Sequence, residues 1–206
     1  MIKEKLGVFL AYLMQFLIFI FLIVAIIRMK IGVVFIAIIG LFITFIPLML
    51  KRKWKVTLPW TLNLLITLSL FIYIGGVLFG WFHLFHPYYY DKISHLIASI
   101  TVALLGFTSV LIIDWYTEVE LTDKSILVFV VIFTLAVGAF WEILEFGADQ
   151  ILGTNSQYDG LSGSMFDLIF DLAGGIIAAI VASFRLKQGR RSILEKMFHK
   201  VKKKIE

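Results

Sequence analysis

Six runs of about twenty consecutive apolar residues leave this chain few ways to fold. A hydrocarbon core roughly 30 Å thick takes about 20 apolar residues per helical crossing. Residues 7–27, 31–50, 58–84, 93–113, 126–146 and 165–184 each meet that length. The first has Gln15 as its one strongly polar side chain, and its apolar stretch is about twice a secretory signal core with no small-x-small site after it. It therefore reads as an uncleaved span. The runs lack two-residue alternation, and an open strand edge has no backbone partners in lipid, so a β-barrel is excluded. The expected fold class is all-α, a polytopic transmembrane helical bundle of about six spans forming one integral membrane domain.

Composition agrees. Of 206 residues, 61% are hydrophobic and 16% charged, against averages near 45–50% and about 25% for soluble domains. No cysteine is present, which removes disulfides, thiolate metal sites and a cysteine nucleophile. The net charge of +5 suggests nucleic acid only until the basic residues are placed. They cluster at the ends of apolar runs, where they set topology, so no nucleic-acid partner is expected.

With the N-terminus in the cytoplasm, all of the 19 lysines and arginines fall on the inner side except Arg28, Lys30 and Lys92. The bias predicts a multi-pass protein of the cell (plasma) membrane with both termini cytoplasmic. In the basic tail, 185–206, Ile193, Leu194, Met197, Phe198 and Val201 share a helical stripe. That pattern fits an amphipathic helix on anionic lipid, with a disordered basic tail as the alternative.

The informative chemistry is in the last three spans. The fourth opens with YDKISH, where Asp91 and His95 stand four apart and share a helix face. The fifth carries Glu142, Glu145 and Asp149 in WEILEFGAD, on one stripe. The sixth opens SMFDLIFD, with Asp167 and Asp171 again four apart. In the topology above, the fourth and sixth spans begin at the outer surface and the fifth ends there, so the three polar faces lie at one depth. A carboxylate at the bilayer centre costs roughly 2.5–3.5 kcal/mol on insertion scales, less near the interface. Such a group of residues is expected to turn inward and be paired, protonated or metal-bound. Small residues on the same helices, among them Gly106, Gly138, Gly174 and Gly175, favour close helix approach.

Carboxylates with one imidazole suit a hard divalent cation whose identity is left open, with His95, Glu142, Glu145, Asp167 and Asp171 as ligands. Asp91, His95, Glu142, Glu145, Asp167 and Asp171 are the candidate catalytic acids, bases or ligands. The alternative is a structural network with Lys92 and His95 as counter-ions. His83 and His86 at the end of the third span have ligand-compatible spacing but fit an interfacial aromatic belt better. Asp159, in NSQYDGLSG, either closes over the acidic cluster or belongs to a plain turn.

At YDKISH, WEILE and SMFDLIFDLAGG the sequence resembles the VanZ-like membrane proteins and, more closely, prokaryotic multi-pass proteins of the YjdF type. The VanZ-like pattern has Asp-Lys-x-x-His, a glutamate late in the next span, then Asp followed by Asn and Gly. The matching positions are Asp91, Lys92 and His95; Glu142 or Glu145; and Asp167, Asp171 and Gly174. Asp171 replaces the usual Asn and adds a charge. The resemblance spans roughly residues 85–182 and implies a link to the cell envelope and glycopeptide-antibiotic tolerance, without a reaction. Three functions are therefore expected to compete. One is a divalent-metal-dependent enzyme or binding protein acting on a lipid-linked or phosphorylated envelope molecule. The others are a cation or proton-coupled transporter and a structural or assembly protein. Membrane lipids are partners in every case, and the oligomeric state stays open.

Overall fold

The computed structural model describes residues 2–53, 56–84, 87–117, 119–153, 156–157, 160–190 and 193. They form α1 (Ile2–Ile27), α2 (Ile31–Lys53), α3 (Trp60–Phe79), a four-residue α4 (Trp81–Leu84), α5 (Pro87–Tyr116), α6 (Asp123–Leu152) and α7 (Gly160–Leu186). All but α4 are long and apolar enough to cross a membrane. The all-α, polytopic reading therefore holds. Isoleucine and valine are mediocre helix formers in water. In lipid every backbone N–H and C=O must be satisfied within its own segment, and that requirement overrides propensity.

The apolar runs mark the spans, but the helices outrun them. α5 starts at Pro87, α6 continues to Leu152 and α7 starts at Gly160, so the polar motifs sit inside helices rather than at their first residues. Conversely, the third run is not one helix. Gly80 adopts φ 71°, and its N–H donates to Gly76 O as a left-handed cap that separates α3 from α4. Glycine reaches that conformation without a Cβ clash.

The chain divides into two compact helical units. In the first, α1, α2 and α3 all touch one another around Ile18, Phe21, Ala25, Val33, Ala37, Ile74 and Leu78. Phe21, Phe79 and Trp81 stack and cross edge-on at 5.1–6.1 Å between centroids. The α1–α2 turn is held to the end of α3 by its basic residues. Lys30 Nζ donates to Leu78 O at 3.1 Å, and Arg28 lies over the Phe79 ring at 5.7 Å.

In the second unit, α7 packs against both α5 and α6, which also meet. Its buried face is small: Gly174, Gly175, Ala178, Ala179 and Ala182. A Cβ on Gly174 would strike the Ser99 side chain and come within 3.1 Å of the Ile100 backbone nitrogen, which cannot step aside. Gly174→Ala is therefore expected to destabilise the unit by about 1–3 kcal/mol, as overpacking does, read as a lower unfolding midpoint in detergent. Thr122 caps α6 by accepting from Ser125 N at 3.1 Å, and Asp114 Oδ1 accepts from Leu121 N at 2.9 Å. The α5–α6 connection is thus fixed by local polar groups.

A candidate metal centre among the last three long helices

Each long helix of the second unit contributes a pair of ionisable side chains to one place. Asp91 and His95 come from successive turns of α5, Glu142 and Glu145 from α6, and Asp167 and Asp171 from α7. All six expected residues are present in the cluster, although they are not equivalent.

His95 is the hub. Its Nε2 faces Asp167 Oδ1 at 3.6 Å, Glu142 Oε1 at 3.8 Å and Asp91 Oδ1 at 4.0 Å. On the other side of the ring, Nδ1 lies 3.4 Å from Asp171 Oδ1. Glu142, Asp167 and Asp171 are buried, His95 nearly so, while Asp91 keeps 32% of its side chain exposed and forms the rim. Two overlapping triads, Asp91–His95–Asp167 and His95–Glu142–Glu145, bring ligand-type atoms within 4.8 Å of one another.

Lys92 carries more of the site than its sequence position suggested. It is 2% exposed. Its Nζ donates to Asp167 Oδ1 at 2.7 Å, to Asp91 Oδ2 at 3.1 Å and to Gly163 O at 3.1 Å. One cation thus compensates two carboxylates from two helices. Lys92 follows Asp91 directly, so helix-face counting puts it about 100° away, which hides it. Its long flexible stem brings the ammonium back.

Glu142 and Asp171 are the poorly compensated members. Glu142 Oε1 and Asp171 Oδ2 are buried with no hydrogen-bond partner among the described residues. Buried carboxylate oxygens are normally satisfied, so each orphan calls for an account. For Asp171 the account is packing. Its carboxylate fills the space where a Cβ on Gly138 would stand, so the glycine of α6 makes the niche for the aspartate of α7. For Glu142 no such account exists, because its orphan oxygen looks across the gap to His95 Nε2. The 3.6–4.0 Å separations are too wide for hydrogen bonds. They are close to the spacing of ligands on opposite or adjacent sides of an ion that binds at about 2.0–2.5 Å. The donor set, imidazole with carboxylates, fits a hard or borderline divalent cation.

Glu145 is steadied by Trp141, whose Nε1 donates to Glu145 Oε1 at 3.0 Å. Asp149, expected on the same stripe, does something else. Its two carboxylate oxygens accept from Ser156 N at 2.7 Å and Gln157 N at 2.9 Å, tying down the chain after Gly153, whose left-handed φ of 65° ends α6. The stripe is real on the helix, but its last member is taken up by the connection. Asp159, His86 and the tail positions Leu194, Met197, Phe198 and Val201 lie outside the described residues, as does the side chain of His83.

Comparison with known proteins matches residues 9–188 to a family described as "Predicted membrane protein (DUF2238)". An uncharacterised protein of Thermotoga maritima is 32% identical, over 57% of this chain and 79% of the relative. No solved structure matches.

Proposed function

The chain belongs to this family of predicted multi-pass membrane proteins, and we propose that its last three long helices build a divalent-cation site that acts on a lipid-linked or phosphorylated molecule of the cell envelope. The observation that carries the reading is His95 Nε2 facing three carboxylate oxygens across a gap wider than a hydrogen bond, one of them the orphaned Glu142 Oε1.

Charge bookkeeping indicates where the ion goes. Asp91 and Asp167 already share Lys92, whereas among the described residues Glu142 and Glu145 have no cation but the His95 ring. His95, Glu142 and Glu145 would then hold the ion, with Asp167 at its edge. Asp171 would accept from His95 Nδ1–H, the carboxylate–imidazole arrangement that fixes ring orientation and leaves Nε2 for the metal. When bound, a divalent cation polarises a phosphoryl oxygen or lowers the pKa of a water. Asp91, at the exposed rim, is placed to accept a proton from a substrate or water entering there. Lys92 holds Asp91 and Asp167 in register.

Two further features support the reading. The basic residues predict both termini in the cytoplasm, which puts the cluster in the outer half of the bilayer, facing envelope chemistry. The YDKISH, WEILE and SMFDLIFDLAGG motifs resemble VanZ-like proteins, which are linked to the envelope. A structural role is the competing reading, and Lys92, saturated by two carboxylates and a carbonyl, is the observation in its favour.

Elemental mass spectrometry on detergent-purified protein decides between them. The wild type is expected to hold a stoichiometric divalent metal, and Glu142→Gln/Glu145→Gln is expected to lose it while remaining helical and monodisperse. That variant spares the partners of Lys92, so folding should survive. Absence of metal in both proteins after repletion with Mg²⁺, Mn²⁺, Ca²⁺, Fe²⁺ and Zn²⁺ would leave the structural network as the reading.

A further inference from the structure

The other helical unit contains a polar cavity that the metal reading does not use. It has a volume of about 270 Å³ and is walled by α1, α2 and α3. A single water needs about 10–15 Å³, so the space is large enough for part of a ligand. Polar side chains from all three helices line it, among them Gln15, Thr44, Asn63 and Thr67. Gln15 Nε2 donates to Thr44 Oγ1 at 3.0 Å, and that hydroxyl donates to Leu41 O at 2.7 Å. The other end of the Gln15 amide has no protein partner among the described residues. Thr67 spends its hydroxyl on Asn63 O at 2.9 Å, and the Asn63 side-chain amide has no partner among the described residues. Two carboxamides in apolar helices therefore face a cavity with unused donors and acceptors, which in a bilayer demands a polar occupant.

Two charges of opposite sign line the same cavity. Glu4 lies in the first turn of α1 and Lys51 in the last turn of α2, so both stand at one end of the unit, at headgroup level. Both are exposed, and neither has an ion-pair partner within 4.0 Å among the described residues. A ligand that satisfies all four groups carries an anion for Lys51, a cation for Glu4 and further oxygens for the carboxamides.

We propose that this cavity binds the headgroup of a zwitterionic phospholipid with a primary ammonium, a phosphoethanolamine lipid. The phosphate pairs with Lys51 and the ammonium with Glu4. A primary ammonium brings three N–H donors to Glu4, whereas a choline headgroup brings none, and the lipid's glycerol and ester oxygens are left for the carboxamides deeper along α1 and α3. An anionic headgroup without a cation leaves Glu4 opposed. The exposed apolar flanks of α1 and α2 accommodate acyl chains.

The test is native mass spectrometry of the full-length, delipidated protein titrated with phosphatidylethanolamine, phosphatidylcholine and phosphatidylglycerol. The wild type is expected to retain one phosphatidylethanolamine with a preference of about tenfold or more over the other two, about the effect of one well-made charged contact. Gln15→Leu/Asn63→Leu should lower retention of phosphatidylethanolamine, and Glu4→Gln should erase the discrimination against phosphatidylcholine. Equal retention of the three lipids overturns the proposal. So does an unchanged preference in Glu4→Gln, whose exposed position leaves folding intact even if the double variant fails to fold. Soluble glycerophosphoethanolamine serves as the control. Saturable binding of it, with the same dependence on Glu4 and no gain from acyl chains, would assign the site to a free headgroup and overturn the lipid assignment.

Discussion

Lys92→Met should destabilise the second helical unit by about 3–5 kcal/mol, the loss expected when one member of a buried ion pair is deleted and its partner is left uncompensated. The ammonium is 2% exposed and bonded at 2.7 Å to Asp167, which is itself buried, and at 3.1 Å to Asp91. Without it, two carboxylates from α5 and α7 face each other, and Gly163 O loses its donor. Unfolding in a denaturing detergent, followed by circular dichroism, gives the midpoint. The compensated variant Asp91→Asn/Lys92→Met/Asp167→Asn should recover most of the loss, because the charges it removes are the ones left stranded. A Lys92→Met protein with the wild-type midpoint would mean that the ion pair contributes nothing net to the fold. The Lys92 variant also probes the proposed metal site from the side it does not share. If His95, Glu142 and Glu145 hold the ion, metal retained by the folded fraction should survive the change.

The second large effect concerns Asp171 and the glycine that makes room for it. Asp171→Asn should weaken metal binding about 10–100-fold, the usual cost of losing the partner that orients a ligating histidine. Gly138→Ala should act in the same direction from the opposite helix, since its methyl group claims the space of the Asp171 carboxylate and forces it away from His95 Nδ1, now at 3.4 Å. Titration with Mn²⁺ or Co²⁺ measures both. Agreement between a charge change on α7 and a steric change on α6 would be hard to obtain from a purely local defect. Wild-type affinity in both variants would show that His95 is held by something other than Asp171.

In the topology expected from the charge pattern three basic residues fall on the outer side, and they follow one physical rule. Arg28 lies over Phe79, Lys30 bonds Leu78 O, and Lys92 bonds Asp91, Asp167 and Gly163 O. Cations placed against the bias are each engaged by the protein, where charge near lipid would be costly.

Much of the site was legible beforehand because helical periodicity is a local property. Asp91 with His95, Glu142 with Glu145, and Asp167 with Asp171 each repeat at three or four residues, and chain order alone put the three pairs at matching depth. Periodicity could not say which members of a stripe turn toward neighbours. Asp149 shares the stripe of Glu142 and Glu145, yet it is bound to the backbone of residues seven and eight positions further on. Lys92 was visible as a counter-ion but not as the centre of one half of the cluster, because a four-carbon stem breaks the link between Cα direction and charge position.

The sequence by itself determined that this is a polytopic helical membrane protein. Long apolar runs leave the backbone only its own hydrogen bonds in lipid, and that outcome depends on no long-range contact. It also determined which ionisable residues enter those helices. The tertiary structure alone decided how they meet: His95 between Asp171 and three facing carboxylates, Asp171 in the niche of Gly138, Lys92 joining α5 to α7, and the break at Gly80. Those features depend on ångström-scale approach between helices distant in sequence, and no one-dimensional pattern encodes that distance.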